Sequence, residues 1–168
     1  YIGASNFLAW QMARANDIAE MRGWTPMVTI QPHYHMLERD VEREMMSYCQ
    51  AFNIGILPYF PLAGGFLTGK YREGEPAPAG SRGQNSPYVQ RYFTPANFAR
   101  VRALTEWAES HGHSMTELAI AWLLAQPQIS SVIAGVTSAE QVDANVKAAE
   151  WELSMDELGE IRGILEEG

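Results

Sequence analysis

The sequence predicts an α/β fold in which short parallel strands are covered by helices. Short apolar segments alternate with helix-favouring segments along the 168 residues. The first three apolar segments recur at intervals of about 27 residues, as expected for repeated strand–helix units. This alternation is typical of parallel sheets whose two faces are covered by helices.

The first strand–helix unit comes from residues 1–23. Tyr1–Ala4 is an apolar segment predicted to form the first strand. Ser5 is a predicted N-cap, because its side-chain oxygen can accept a hydrogen bond from the first turn of a helix. Phe7–Met21 is rich in Ala, Met, Gln and Arg, which favour helix. Gly23 is expected to end this helix, because glycine adopts the left-handed conformation at low cost.

The second unit follows directly. Met27–Ile30 is predicted to be a strand that Gln31 and Pro32 close. Glu38–Phe52 is predicted to be a helix, since its apolar residues recur at spacings of three and four. Ile54–Pro58 is the predicted third strand.

Residues 72–93 are predicted to form a long surface loop. The segment GEPAPAGSRGQNSP holds three prolines and three glycines, which interrupt regular structure. Loops of this length in compact domains are usually binding loops, lids or disordered segments. Thr94 then caps a predicted helix that begins at Pro95 and reaches about His111.

Three capping boxes predict where helices begin in the last third of the chain. Ser114–Glu117 opens an apolar helix over Leu118–Ala125. Ser131–Ala134 is the predicted fourth strand. Ser138–Gln141 is the second capping box, and Ser154–Glu157 opens a terminal helix.

Four strand–helix units are too few for a closed (β/α)8 barrel, which needs about 250 residues. The count therefore indicates half of such a barrel or a small open α/β sheet. The length suits one domain over residues 1–168.

Composition excludes several classes of protein. The net charge of −8 argues against nonspecific nucleic-acid binding, which needs excess Lys and Arg. No apolar run approaches about 18 residues, so no membrane span is expected. The sequence shows no signal-peptide pattern, and a cytoplasmic protein is predicted. Cys49 is the single cysteine, which excludes an internal disulfide and indicates a buried core residue.

The candidate site lies where the predicted strands end. These positions carry Ser5, Asn6 and Gln31, then Tyr59–Gly65 and Gly135–Thr137. Carboxamides suit hydrogen bonding to an amide, tyrosine suits stacking on a planar ring, and a helix N-terminus suits a phosphate. Gly64 and Gly65 would let the backbone approach a bulky anion. Together these groups are suited to a nicotinamide dinucleotide, although no GxGxxG motif is present.

Simpler interpretations remain for the same residues. Asn6 can complete a helix cap, Gln31 can satisfy a strand end, and Gln141 can serve as the partner of Ser138 in a capping box. The His33-x-His35 and His111-x-His113 pairs lack a convincing set of further ligands, so no metal site is predicted.

Five motifs in matching order resemble the aldo-keto reductases. The nearest resemblance is to the bacterial and potassium-channel-β-subunit-like branch of that family. The motifs are GxSNF (Gly3–Phe7), QxxY followed by RxxExE (Gln31, Tyr34, Arg39, Glu42, Glu44), YFPLAGGFLTGKY (Tyr59–Tyr71), LAIAWLLAQP (Leu118–Pro127) and VIAGVTSAEQVDAN (Val132–Asn145).

This resemblance implies a (β/α)8 barrel that binds NADPH across its carboxyl-terminal rim. The chain would be the C-terminal half of that barrel, strands five to eight, with outer helices. By this resemblance, the nicotinamide carboxamide would be held by Ser5, Asn6 and Gln31, and its ring would stack on Tyr59. The pyrophosphate would lie along Phe60, Pro61, Leu62, Ala63 and Gly64, with Lys70 nearby. The adenosine phosphate would contact Arg82, and the 2′-phosphate and adenine would be lined by Gly135, Thr137, Gln141 and Asn145. In two departures from the family pattern, Phe60 stands where Ser or Gly is common and Ala144 where a Glu often contacts adenine.

The resemblance further implies hydride transfer from NADPH to the carbonyl of a small aldehyde or ketone. The family's catalytic Asp, Tyr, Lys and His come from strands two to four, so no catalytic residue is expected in this chain. Two alternatives stay open. One is a non-catalytic half-barrel that self-associates through its open edges, and the other is a regulatory module that binds NADPH.

Overall fold

The computed structural model describes residues 1–167 and contains a three-stranded parallel sheet. The strands are β1 (Ile2–Ser5), β2 (Met27–Gln31) and β3 (Gly55–Ile56), in the spatial order β1-β2-β3. Ser5 pairs with Gln31, and Ile30 pairs with Ile56. The predicted α/β class with parallel strands is therefore confirmed. Because the strands are parallel, their carboxyl ends meet at one edge of the sheet.

The prediction that Ser131–Ala134 forms a regular fourth strand is wrong. The segment follows β3 only through isolated parallel bridges, Ile129 with Ile56 and Ile133 with Tyr59. The Ile133 N–H donates to the Pro58 carbonyl at 2.9 Å. Pro58 has no N–H to donate in return, so the ladder is interrupted at this point.

Eight helices lie within residues 1–167. In chain order they are α1 (Ala9–Arg22), α2 (Met45–Phe52), α3 (Arg82–Asn85), α4 (Pro87–Gln90), α5 (Pro95–Ser110), α6 (Met115–Leu124), α7 (Ala139–Ala148) and α8 (Met155–Glu167). Two short 3₁₀ helices occupy Asp40–Glu42 and Ala63–Thr68, and the second is interrupted by the positive φ values of Gly64 and Gly65, 66° and 100°. No helix within residues 1–167 combines the length and the apolar character that crossing a membrane requires.

The first helix begins later than predicted. Ser5 remains in β1, where its hydroxyl donates to the Gln31 carbonyl at 2.9 Å. The N-cap position is Leu8, whose backbone N–H is satisfied by the Gln11 side chain at 2.8 Å. Pairing with β2 therefore takes Ser5 away from the capping role. Gly23 ends α1 in the left-handed conformation, as predicted.

The predicted helix over Glu38–Phe52 is divided into two pieces. Asp40–Glu42 is 3₁₀, and α2 starts only at Met45, because Glu44 has an extended φ of −138°. Arg39 forms two hydrogen bonds with Glu42, at 2.9 and 2.8 Å. This local ion pair accompanies the tight turn.

The predicted long loop is only partly irregular. It contains α3 and α4, which pack against the 3₁₀ helix Ala63–Thr68. Pro87 stands in the first turn of α4, where its fixed φ suits a helix start. The prolines and glycines that suggested a continuous loop therefore also delimit short helices.

Most of the predicted caps are confirmed. Thr94 caps α5, and full capping boxes join Ser114 to Glu117 and Ser154 to Glu157. The box at Ser138 is incomplete. The Ser138 hydroxyl accepts from the Gln141 N–H, but the Gln141 side chain accepts from the Thr137 N–H instead of the Ser138 N–H.

The core lies between the sheet and the helices. Ile30 and Ile56 are fully buried in the sheet, and α6 is buried over nearly its whole length. Cys49 is also fully buried, as predicted, and burial raises the pKa of its thiol to about 11.

Candidate functional site

Four of the predicted site residues meet at the carboxyl edge of the sheet. The Tyr59 hydroxyl donates to the Asn6 side-chain oxygen at 3.1 Å. The Asn6 backbone N–H and the Ser5 hydroxyl both donate to the Gln31 carbonyl, at 3.2 and 2.9 Å. The ends of β1, β2 and β3 therefore form one continuous surface, which we call the rim: Ser5, Asn6, Gln31 and Tyr59.

The backbone has an uncommon conformation at one rim residue and at the residue that follows Tyr59. Asn6 and Phe60 both have positive φ values, 56° and 63°. Asn tolerates this region, but for Phe it costs about 1 kcal/mol. Strain of this kind persists where the surrounding structure enforces it and concentrates at functional sites.

The rim offers carboxamide groups with unused hydrogen-bonding capacity. Among residues 1–167, the Gln31 side chain has no hydrogen-bond partner, and Asn6 uses only its side-chain oxygen. Both residues are at least partly accessible to solvent. A ligand that carries both a donor and an acceptor, such as a primary carboxamide, matches these groups. The simpler role of Asn6, completing a helix cap, is not what the structure shows, because Leu8 holds that position.

The glycine segment after Tyr59 is more enclosed than expected. Pro61, Ala63 and Gly64 are buried, and a Cβ on Gly64 would lie 2.5 Å from the Val89 side chain and 2.7 Å from the Phe60 ring. A Cβ on Gly65 would lie 2.8 Å from the Lys70 Nζ. Packing against Val89 and Phe60 favours glycine at Gly64, whereas at Gly65 the Lys70 side chain is flexible and the positive φ of 100° is the stronger reason for glycine. Contact of Phe60, Pro61, Leu62, Ala63 and Gly64 with an anion stays a prediction.

Lys70 and Arg82 are brought to the same region. Tyr71, next to Lys70, accepts a hydrogen bond from the Gly83 N–H at 2.9 Å, and Gly83 is next to Arg82. Both cations are exposed. Neither forms a salt bridge within the part of the chain that the structure describes. The Lys70 Nζ lies 5.3 Å from the centroid of the Tyr71 ring, and positive charges without a carboxylate partner suit phosphate groups.

The last predicted group extends from the same edge. Gly135 lies two residues after Ile133, whose backbone pairs with Tyr59. The Thr137 N–H donates to the Gln141 side-chain oxygen at 2.8 Å. The Gln141 side-chain carbonyl therefore takes part in capping α7, which agrees in part with the capping role considered for Gln141 in the sequence. Gly135, Thr137 and Gln141 are exposed and Asn145 is half-buried.

A polar and aromatic cluster beside the rim was missed at the sequence level. It fastens the end of the 72–93 segment to the residues that follow β2. We call it the latch cluster: His33, His35, Glu38, Tyr88, Arg91 and Tyr92. Arg91 pairs with Glu38 at 2.8 Å and donates to the Tyr92 hydroxyl at 2.6 Å.

The histidines of the latch cluster contact tyrosines. The Tyr88 hydroxyl lies 3.1 Å from His33 Nδ1, and the Tyr92 hydroxyl lies 3.2 Å from His35 Nε2. The Leu37 N–H donates to His35 Nδ1, so a neutral His35 carries its proton on Nε2 and donates to Tyr92. The HxH pair and the aromatic residues 88–93 were visible in the sequence, but their meeting depends on how the long segment folds back.

Burial sets the protonation of this cluster. Loss of solvation lowers the pKa of His35 to about 3 and also lowers that of His33, with Glu38 opposing the shift at His33. Burial raises the pKa of Tyr92 to about 12, against the lowering effect of Arg91. The histidines are therefore neutral and the tyrosines protonated near pH 7.

We expect His35 to make the folded protein sensitive to mild acid. The pKa of His35 is lower in the folded protein than in the unfolded chain, so the unfolded chain binds a proton first as the pH falls. The free energy of unfolding therefore decreases as the pH drops below about 6.5. Between pH 7 and pH 5.5 this costs about 1 kcal/mol. In urea unfolding at the two pH values, His35→Gln should lose correspondingly less stability than the wild type. Equal losses in the wild type and in His35→Gln would contradict the expectation.

Metal ligation finds no geometric support in the described residues. No group of three or more His, Cys, Asp or Glu side chains comes together within residues 1–166 in a way that could hold an ion.

Comparison with known proteins identifies the family. The sequence profile of the Aldo/keto reductase family matches residues 1–166. Aldo-keto reductase AFTS1 of Alternaria alternata is 32% identical over 94% of this chain and 42% of its own length. L-glyceraldehyde 3-phosphate reductase of Escherichia coli K12 is 31% identical over 88% of this chain and 44% of its own length. Protein tas of the same organism is 33% identical over 98% of this chain and 47% of its own length.

The chain spans less than half the length of these relatives. The match nevertheless covers nearly all of residues 1–167, including the rim and the latch cluster. The chain belongs to the Aldo/keto reductase family.

Proposed function

We propose that this chain is the NADPH-binding, C-terminal half of a (β/α)8-barrel aldo-keto reductase. The intact reductase would transfer a hydride from NADPH to the carbonyl of a small aldehyde or ketone. Family membership supports the reaction class, and the names of two relatives include the word reductase.

The observation that carries the proposal is the convergence at the rim. Asn6 contacts residues from the two other strand ends: its side-chain oxygen accepts from the Tyr59 hydroxyl, and its backbone N–H donates to the Gln31 carbonyl. Two carboxamides and an aromatic ring fit a nicotinamide, whose ring is planar and whose substituent is a carboxamide. In open and closed parallel sheets, ligands bind at this edge.

We infer that the phosphates would bind farther along the same edge. Lys70 and Arg82 would hold the pyrophosphate and the adenosine phosphate, and Gln141 with Asn145 would face the adenosine end. Bound NADPH supplies the hydride. This chain's residues bind and orient the nicotinamide, and Tyr59 covers one of its faces and excludes water there.

Removing the Arg82 guanidinium is expected to weaken NADPH binding about ten-fold, because a charge-assisted contact to phosphate contributes about 1.5 kcal/mol. NADH lacks the 2′-phosphate, so its affinity should change less. Fluorescence titration of the full-length protein with each nucleotide measures both effects. Gln141→Ala tests the contact proposed at the adenosine end of the nucleotide.

Arg102→Ala is the matched control, because Arg102 is an exposed arginine on α5. It should leave both affinities unchanged. The proposal would be contradicted if the wild type did not bind NADPH, or if neither Arg82→Ala nor Gln141→Ala changed the affinity for NADPH. Turnover of a generic aldehyde such as a nitrobenzaldehyde by the full-length protein would separate a reductase from an NADPH-binding regulatory module.

Exposed apolar side chains favour a second candidate function, assembly. At the β1 edge Ile2, Leu8 and Trp10 are 49%, 59% and 59% exposed. Val142 and Val146 are 45% and 62% exposed on α7. Covering these surfaces would need further barrel strands or a second copy of the chain. Sedimentation of residues 1–168 alone tests this: a well-folded monomer would exclude self-association.

A further inference from the structure

His33 contacts the face of the Tyr59 ring. The two ring centroids are 5.3 Å apart and the planes differ by 12°, a stacked arrangement. Among residues 1–167, His33 contributes the one ring that stacks on Tyr59. Tyr59 remains partly exposed, and its hydroxyl is held by Asn6.

The imidazole of His33 is itself held firmly. Its backbone forms a parallel bridge with Tyr59. The Phe60 ring meets it edge-on at 5.8 Å and the His35 ring at 4.8 Å. The Tyr88 hydroxyl lies 3.1 Å from Nδ1, so the latch cluster fixes the ring that in turn lies against Tyr59.

We propose that His33 is a positioning residue that fixes the plane of the Tyr59 ring, so that the opposite face is presented to a nicotinamide. The inference rests on the proposed function, because it takes Tyr59 as the ring that stacks on the ligand. Two contacts restrain Tyr59: Asn6 holds its hydroxyl and His33 holds its face. A ring restrained in this way loses little conformational freedom when a ligand stacks on it, and such preorganisation contributes to affinity.

Three substitutions separate stacking from hydrogen bonding. His33→Ala removes both, His33→Gln retains a group that can bond to the Tyr88 hydroxyl without a ring, and His33→Phe retains a flat ring without that hydrogen bond. The ligands are NADPH and adenosine 2′,5′-bisphosphate, which has the adenosine phosphates but no nicotinamide. Affinities for the full-length protein are measured by fluorescence titration and calorimetry.

We expect His33→Ala and His33→Gln to weaken NADPH binding about five-fold, corresponding to the loss of one aromatic contact. His33→Phe should return the affinity to within about two-fold of the wild type. All three variants should bind adenosine 2′,5′-bisphosphate like the wild type, because that ligand does not reach Tyr59.

Each other result overturns the inference. Unchanged NADPH affinity in His33→Ala, or failure of His33→Phe to restore it, would show that stacking does not matter. Tighter NADPH binding in His33→Ala would mean that the imidazole occupies the face the ligand needs. Equal weakening of both ligands would indicate a general structural role. A wild-type protein that binds adenosine 2′,5′-bisphosphate and NADPH equally well would likewise exclude a nicotinamide contact at Tyr59, whereas a wild type that binds neither would refute the proposed function itself.

Discussion

Replacing Phe66 with alanine is expected to destabilise the fold by about 3–5 kcal/mol, the usual cost of removing a buried phenylalanine. Phe66 is 1% exposed. Its ring contacts four others, with centroids 6.1 Å from Tyr71, 6.1 Å from Tyr92, 5.6 Å from Phe93 and 5.2 Å from Phe98. These neighbours come from the 72–93 segment and its flanks, so the substitution leaves a cavity where that segment is anchored.

Phe52→Ala is the matched control, because the Phe52 side chain is 64% exposed at the end of α2. It should cost well under about 1 kcal/mol, as most surface changes do. Urea unfolding of the wild type and both variants gives the free energies. A loss below about 1 kcal/mol for Phe66→Ala would show that the aromatic cluster does not stabilise the fold as its packing indicates.

Replacing Gly64 with alanine is the second substitution with a large expected effect. The backbone of Gly64 has a φ of +66°, where a side chain costs about 1 kcal/mol. The added Cβ would also lie 2.5 Å from the Val89 side chain and 2.7 Å from Phe60, and overpacking of this kind costs about 1–3 kcal/mol. The expected total is about 2–4 kcal/mol, the sum of these two costs.

Gly74→Ala isolates the backbone contribution. Gly74 has a φ of +76°, and a Cβ there would meet no atom within 4 Å. Its expected cost is about 1 kcal/mol, from conformation alone. Adding Val89→Ala to Gly64→Ala should make the double variant less unstable than the sum of the single variants, because the clash with Val89 is removed while the contact with Phe60 remains. Equal costs for Gly64→Ala and Gly74→Ala, or strict additivity with Val89→Ala, would contradict this account.

The element pattern could be predicted from the sequence because its signals are local. The capping box at Ser114 and Glu117, the cap at Thr94 and the helix stop at Gly23 each act within one turn of helix. Strand alternation likewise indicated a parallel sheet, and the position of polar residues after each strand indicated which edge carries the site. These features need only neighbouring residues to form.

The errors fall where distant pairing competes with a local signal. Ser5 has the chemistry of a cap, but its hydroxyl and backbone are engaged by Gln31 on the neighbouring strand. The segment 131–134 has the apolar character of a strand, but it meets β3 beside Pro58, which has no N–H to give. In both cases a partner remote in sequence decides the outcome.

The amino-acid sequence alone therefore determined the α/β class, most caps and the family resemblance, because short-range patterns specify each of these. The tertiary structure alone decided that Val89 covers Gly64 and that the latch cluster joins residues 33–38 to residues 88–92. The same is true of the stacking of His33 on Tyr59. These contacts depend on the path of the 72–93 segment across the carboxyl edge, which is set by burial of its side chains against residues far away in the chain.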